Sequence, residues 1–168
     1  MAELTGQVAA PLLSADTRAV LDDSLEDALS MLHADRGNVQ IVDPVSGSLI
    51  IAVQAGFSDE FLEYFAVVND DASACGRAAH DLAQTVIADV NDDPGFASHR
   101  EIAAASGFRA VQSTPLVGSD GHLVGMLSTH YPRPYRPPAR DLELMSRLGE
   151  LVGQAIDATH VTTLEEAS

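Results

Sequence analysis

The stretch from Arg109 to Pro138, RAVQSTPLVGSDGHLVGMLSTHYPRPYRPP, constrains this chain more than any other. It reads as two long strands joined by a tight turn, followed by a proline-broken run that leads into a final helix. Gly118-Ser119-Asp120-Gly121 supplies the turn, because Gly and Asp tolerate the positive φ that a hairpin turn needs. Side chains alternate along a strand, so Val124, Met126, Ser128 and His130 share one face of the second arm, and Leu123, Gly125, Leu127 and Thr129 share the other. Both faces are mostly apolar, and the hairpin is expected to be covered on both sides. Ser128 and His130 break that pattern. A polar pair inside such a strand is what a closed pocket leaves behind.

The length of 168 residues suits one domain with terminal extensions: an N-terminal arm over 1–13, a globular domain over 14–160 and a tail over 161–168. Hydrophobic content of 46% with 20% charged residues excludes a disordered chain. No apolar run approaches the roughly 18–20 residues of a membrane span, and the start, MAELTGQVAAPLLSAD, lacks a secretory leader's basic end and long apolar region. The expected setting is the cytoplasm. A net charge of −16 argues against nucleic acid as a direct partner, since phosphates require concentrated positive charge. All nine basic residues are arginine, which removes Schiff-base and phosphate-loop lysine chemistry. The single cysteine, Cys75, excludes an intrachain disulfide and a Cys-based zinc cage.

Before the hairpin, Ser14 or Asp16 can cap a helix with Leu21, Leu25, Ala28, Leu29 and Leu32 on one face, ending near Gly37. Asn38–Val42 and Ser48–Ala55 flank Asp43-Pro44-Val45-Ser46-Gly47, a second hairpin signal. A short helix opens at Ser58-Asp59-Glu60, a helical patch covers SACGRAAHDL, Thr85–Asp89 is a strand, and Phe96–Ser106 is helical. Pro137 and Pro138 precede a helix over about 139–159 with Leu142, Met145, Leu148, Leu151, Val152, Ala155 and Ile156 as its apolar stripe. The predicted class is α+β, an antiparallel sheet with the two end helices adjacent on it. Their stripes could extend into a bundle with a second copy, which predicts a homodimer.

This order of motifs resembles the GAF domain, a small-molecule sensing module of signalling proteins, from about Asp16 to Ala158. CGRAAHDLAQTVIADVNDDPGF, GFRAVQSTPLV and GHLVGMLSTHYPRPYRPPARDLELM carry the likeness, most of all to GAF domains of bacterial sensor histidine kinases. The resemblance implies a central antiparallel sheet with the end helices on one face and a cavity covered by loops and short helices on the other. It does not imply one ligand. A further likeness to phytochrome-type GAF domains implies that His99, Val111, Ser113, Ser128 and His130 face that cavity, with Met126 adding apolar surface. Ser98 stands beside His99 where covalent-bilin members have cysteine, so covalent bilin is excluded there. GAF-type free-methionine-sulfoxide reductases need several cysteines, and this chain has one.

Each candidate has a plain reading beside its functional one. His130 is a hydrogen-bonded core imidazole, or a pocket donor or haem ligand. His99 is a surface helix-capping residue, or a pocket residue. Cys75 is a small buried hydrophobe, or a redox sensor with its pKa lowered by Arg77. Arg77 and Arg109 pair with carboxylates, or hold an anionic ligand. The Asp89–Asp93 cluster does not have EF-hand spacing. No nucleophile–base set or phosphate loop is visible, so catalysis has no support. The reading is a non-enzymatic sensory module that binds a small organic ligand or anion through His99, Val111, Ser113, Met126, Ser128, His130, Cys75 and Arg77. It would act through a dimer or through a signalling kinase or response regulator. A dimerisation module without ligand and a haem sensor are the alternatives.

Overall fold

The hairpin forms the middle of the molecule. Strands β5 (Ala110–Val117) and β6 (Leu123–Tyr131) pair antiparallel from Ala110 opposite Tyr131 to Val117 opposite Leu123. At the turn Gly118 N donates to His122 O at 2.8 Å and Gly121 takes φ of +85°, the one positive φ of the four turn residues. The computed structural model describes residues 13–167, with side chains up to residue 158. The expected N-terminal arm therefore lies almost wholly outside the described residues, as do the side chains of the tail.

Four further strands complete the sheet: β1 (Arg36–Val42), β2 (Leu49–Ala55), β3 (Val67–Val68) and β4 (Thr85–Ile87). The order is β3-β2-β1-β6-β5-β4, with every neighbouring pair antiparallel. The two-residue strand β3 has no periodic signal of its own and is absent from the sequence reading.

One face of the sheet carries helix α1 (Ala15–Met31) and helix α5 (Ala139–Ala167). Ser14 caps α1 by accepting from Thr17 N at 3.1 Å. Leu21, Leu25 and Ala28 of α1 join Val39, Leu127, Met145, Val152 and Ile156 in one apolar layer. Helix α1 stops at Leu32 and His33, where His33 takes φ of +54°, so Gly37 is not its terminator but lies inside β1. Helix α5 passes directly over β5, because a Cβ at Gly149 would sit 2.7 Å from Pro115 O and one at Gly153 would collide with the Val117 backbone. It continues to Ala167, beyond the expected end near Thr159.

The opposite face is covered by short elements: α2 (Asp59–Tyr64), α3 (Ala74–Asp81), a 3-10 helix (Pro94–His99) and α4 (Arg100–Ser106). Phe61, Phe65, Phe96, Phe108, Val111 and Met126 belong to this second apolar layer. The α+β class and the two covered faces agree with expectation. A sheet buried on both sides leaves no solvent for a polar side chain that points inward, and this sets up the site.

Candidate ligand-binding site

Register across β1, β6 and β5 brings polar residues from three strands into rows. Asn38, Ser128, Ser113 and Thr85 form one row, and Arg36, His130, Val111 and Ile87 form the next. Alternation turns Asn38, Gln40, Ser128, His130, Val111 and Ser113 to the face under the short helices, where they line an internal cavity. Phe61 of α2, Phe65 just after it, Phe96 of the 3-10 helix, Phe108, and Cys75 at the start of α3 close it. The space open to a water-sized sphere is about 20 Å³, room for about one water.

Ser113 Oγ and Ser128 Oγ lie 2.6 Å apart and satisfy each other. His130 is 5% exposed and sits in an aromatic box, with Phe108, Phe57 and Phe61 ring centroids at 4.7, 4.8 and 5.6 Å, all nearly perpendicular to the imidazole. Burial, with the positive charge of Arg36 adding to it, pushes its pKa down to about 3, so the imidazole is neutral. Its Nδ1 has no hydrogen-bond partner, and neither has Asn38 Oδ1. Gln40 Oε1 has no partner either; the Gln40 side chain acts on the Cys75 sulfur as a donor, a contact that favours the thiolate but is outweighed by burial.

The expected site residues divide. Val111, Ser113, Ser128, His130 and Cys75 line the cavity together. Met126 is fully buried in the same apolar layer but off the cavity wall. His99 lies in the cover, outside the cavity: its Nδ1 is 2.8 Å from Tyr64 Oη, and the rings of Phe96 and Phe65 pack on it at 5.4 and 5.6 Å. Nor does it face solvent, since its side chain is 12% exposed. Arg77 also stands away from the cavity. Both its terminal nitrogens bond Asp93, at 2.9 and 2.8 Å, and its Nε bonds Ala72 O. Arg109 is clamped in the same way by Asp89, at 2.9 and 2.7 Å. The carboxylate-pairing reading therefore holds for both arginines.

Burial pushes the Cys75 thiol up, with Ser73 Oγ at 3.5 Å, so it lacks the electropositive surroundings of a reactive thiolate. The cavity as it stands is far smaller than the hundreds of Å³ of a pocket for a haem or a bilin. Among the described residues, Asp120, His122 and Asp157 are the group whose ligand atoms converge. Both ring nitrogens of His122 already face a carboxylate there, Nε2 lying 3.2 Å from Asp157.

Asn38 and Gln40 are read from the sequence as strand but not as site residues. They carry the signal that marks Ser128 and His130: polar residues at alternate positions of an apolar strand.

A family model for the GAF domain matches residues 16–156, and the chain belongs to that family. No curated protein matches it. Among solved structures it is similar to a domain of a putative two-component sensor histidine kinase protein from Sinorhizobium meliloti, at 17% identity and TM-score 0.75 over 93% of this chain and 99% of that one. It is also similar to the PixJ GAF domain of Thermosynechococcus elongatus in its blue-light absorbing form, at 18% identity and TM-score 0.71 over 90% and 91% of the two chains. A third is the free methionine-R-sulfoxide reductase of Neisseria meningitidis, at 19% identity and TM-score 0.71 over 96% and 89%. At these identities the likeness is one of fold. No helix among the described residues is long and apolar enough to cross a membrane.

Proposed function

We propose that this chain is a non-catalytic, cytoplasmic sensing module that binds a small molecule in the cavity over β1, β5 and β6. It acts through a dimer or through a partner signalling protein, a kinase or a response regulator. The observation that carries this reading is the convergence of Asn38 Oδ1, Gln40 Oε1 and His130 Nδ1, buried and unpartnered, on one cavity. Leaving such an atom unsatisfied costs about 1–3 kcal/mol, and a merely packed core would have no reason to keep several together. A bound molecule supplies the missing partners. The test is thermal stability against a panel of metabolites, with His130→Ala as control. At least one compound should stabilise the parent chain and not the variant.

The dimer rests on α5. Leu144 and Leu151, two turns apart, are 42% and 66% exposed, while Met145, Val152 and Ile156 are buried on the sheet and Leu148 packs partly against the same core. Helix α1 has spent its apolar side on the sheet and presents Asp22, Asp23, Glu26 and Asp27 outward. A second copy would therefore meet α5.

The tight phenyl cover and the room for one water favour a second reading, a dimerisation module whose cavity is closed by its own side chains. That reading predicts no stabilisation by any compound and an unchanged dimer in the His130→Ala variant.

A further inference from the structure

The cavity wall is uncharged. Four phenyl rings line it, and no arginine, aspartate or glutamate does. The nearby guanidinium groups are engaged elsewhere: Arg77 with Asp93, Arg109 with Asp89, and Arg36 with the Ser106 carbonyl. An anion entering this space would lose its hydration, with no arginine on the wall and only the Arg36 guanidinium, held by the Ser106 carbonyl, near enough to offset part of the loss. It would also meet acceptors. Asn38 Oδ1 and Gln40 Oε1 stand on one face of β1, two residues and so roughly 7 Å apart along the strand. His130 Nδ1 lies one strand over, on β6.

We propose that the ligand of this cavity is an uncharged, planar organic molecule that donates N–H hydrogen bonds to Asn38 and Gln40, and that anions are rejected. The inference rests on the sensing reading and narrows it. A flat apolar body lies between the phenyl rings, while its donors reach the β1 amides and His130 Nδ1 takes or gives one further bond. The present space admits about one water, so the rings of the cover move outward on binding. The elements that carry two of those rings are short, six residues each in α2 and in the 3-10 helix.

The experiment uses the intact chain and two probes of nearly equal shape, benzamide and benzoate. One is neutral with N–H donors; the other is an anion. Backbone amide NMR of residues 111–113 and 128–130 reports binding at the cavity. Benzamide should shift these signals saturably and benzoate should not. Asn38→Leu should weaken benzamide about tenfold, the loss of one buried hydrogen bond, and Gln40→Met repeats the test if the first variant does not fold. Benzoate binding as tightly as benzamide would overturn the neutral class and leave the sensing reading in place. If neither probe moves these amides at millimolar concentration, the planar neutral class is overturned, while the sensing reading is decided by the metabolite panel. Unchanged benzamide affinity in folded variants would overturn the role given to the two amides.

Discussion

Tyr64 Oη and His99 Nδ1 meet at 2.8 Å, and through that contact α2 is tied to the 3-10 helix across the top of the cavity. Asp70, whose Oδ1 lies 3.6 Å from His99 Nε2, brings the loop before α3 to the same point. Burial works to raise the Asp70 pKa, but hydrogen bonds from Ser73 and Ala72 and the nearby His99 outweigh it and hold the carboxyl low. Three covering segments thus converge on His99, while Phe65 and Phe96 beside it reach the cavity.

If that junction holds the cover down, Tyr64→Phe should cost about 0.5–1.5 kcal/mol, toward the low end because Tyr64 is 46% exposed. Hydrogen exchange should quicken in residues 94–106 and stay unchanged in β5 and β6. Uniform acceleration across the sheet would show that the contact is not a local fastener.

His130 makes stability fall in mild acid. Its folded pKa is about 3 against an ordinary 6.5, so the unfolded chain binds the extra proton between these values. The contribution is complete above about pH 6.5 and is lost as pH falls toward 3, in total roughly 5 kcal/mol. Asp89 and Asp93, held low chiefly by Arg109 and Arg77, act below their ordinary 3.8. Urea unfolding at a series of pH values should show the limb between about pH 6.5 and 4 in the parent chain and not in His130→Phe. An unchanged slope in the variant would assign the limb to other groups.

On the outer side of α5, Leu151→Glu should convert dimer to monomer at micromolar concentration without changing the thermal midpoint of the monomer, because the residue is 66% exposed. Light scattering after size exclusion decides it. A parent chain that is already monomeric would sink the dimer.

Cys75 offers a label at the cavity wall. As a thiol held protonated by burial, it should react with iodoacetamide at least about tenfold more slowly than a free cysteine. Urea should restore the full rate. Reaction at the free-thiol rate in the folded protein would mean that the cover stands open.

The fold was legible where its signals are local. Turn residues mark both hairpins, alternation marks β5 and β6, and spaced leucines mark α1 and α5. The termination of α1 was not legible, because Gly37 looks like a helix stop and is needed as strand. That Arg77 pairs with a carboxylate is readable, but not which one, until Asp93, sixteen positions later, folds back onto it. The size of the cavity is the least readable property. It depends on how rings at positions 61, 65, 96 and 108, drawn from separate segments, close over Ser113 and His130.

Strand β5 has a different task on each side. Ser113 faces the cavity, while its neighbour Thr114 lies under α5, beside the approach that Gly149 permits, and accepts from Gln84 Nε2, which also reaches Leu142 O of α5 at 2.7 Å. Only a single layer of backbone separates the chamber from the long helix. Where Gly149 and Gly153 approach Pro115 and Val117, no side chain of the helix stands between its backbone and the strand whose other face lines the chamber.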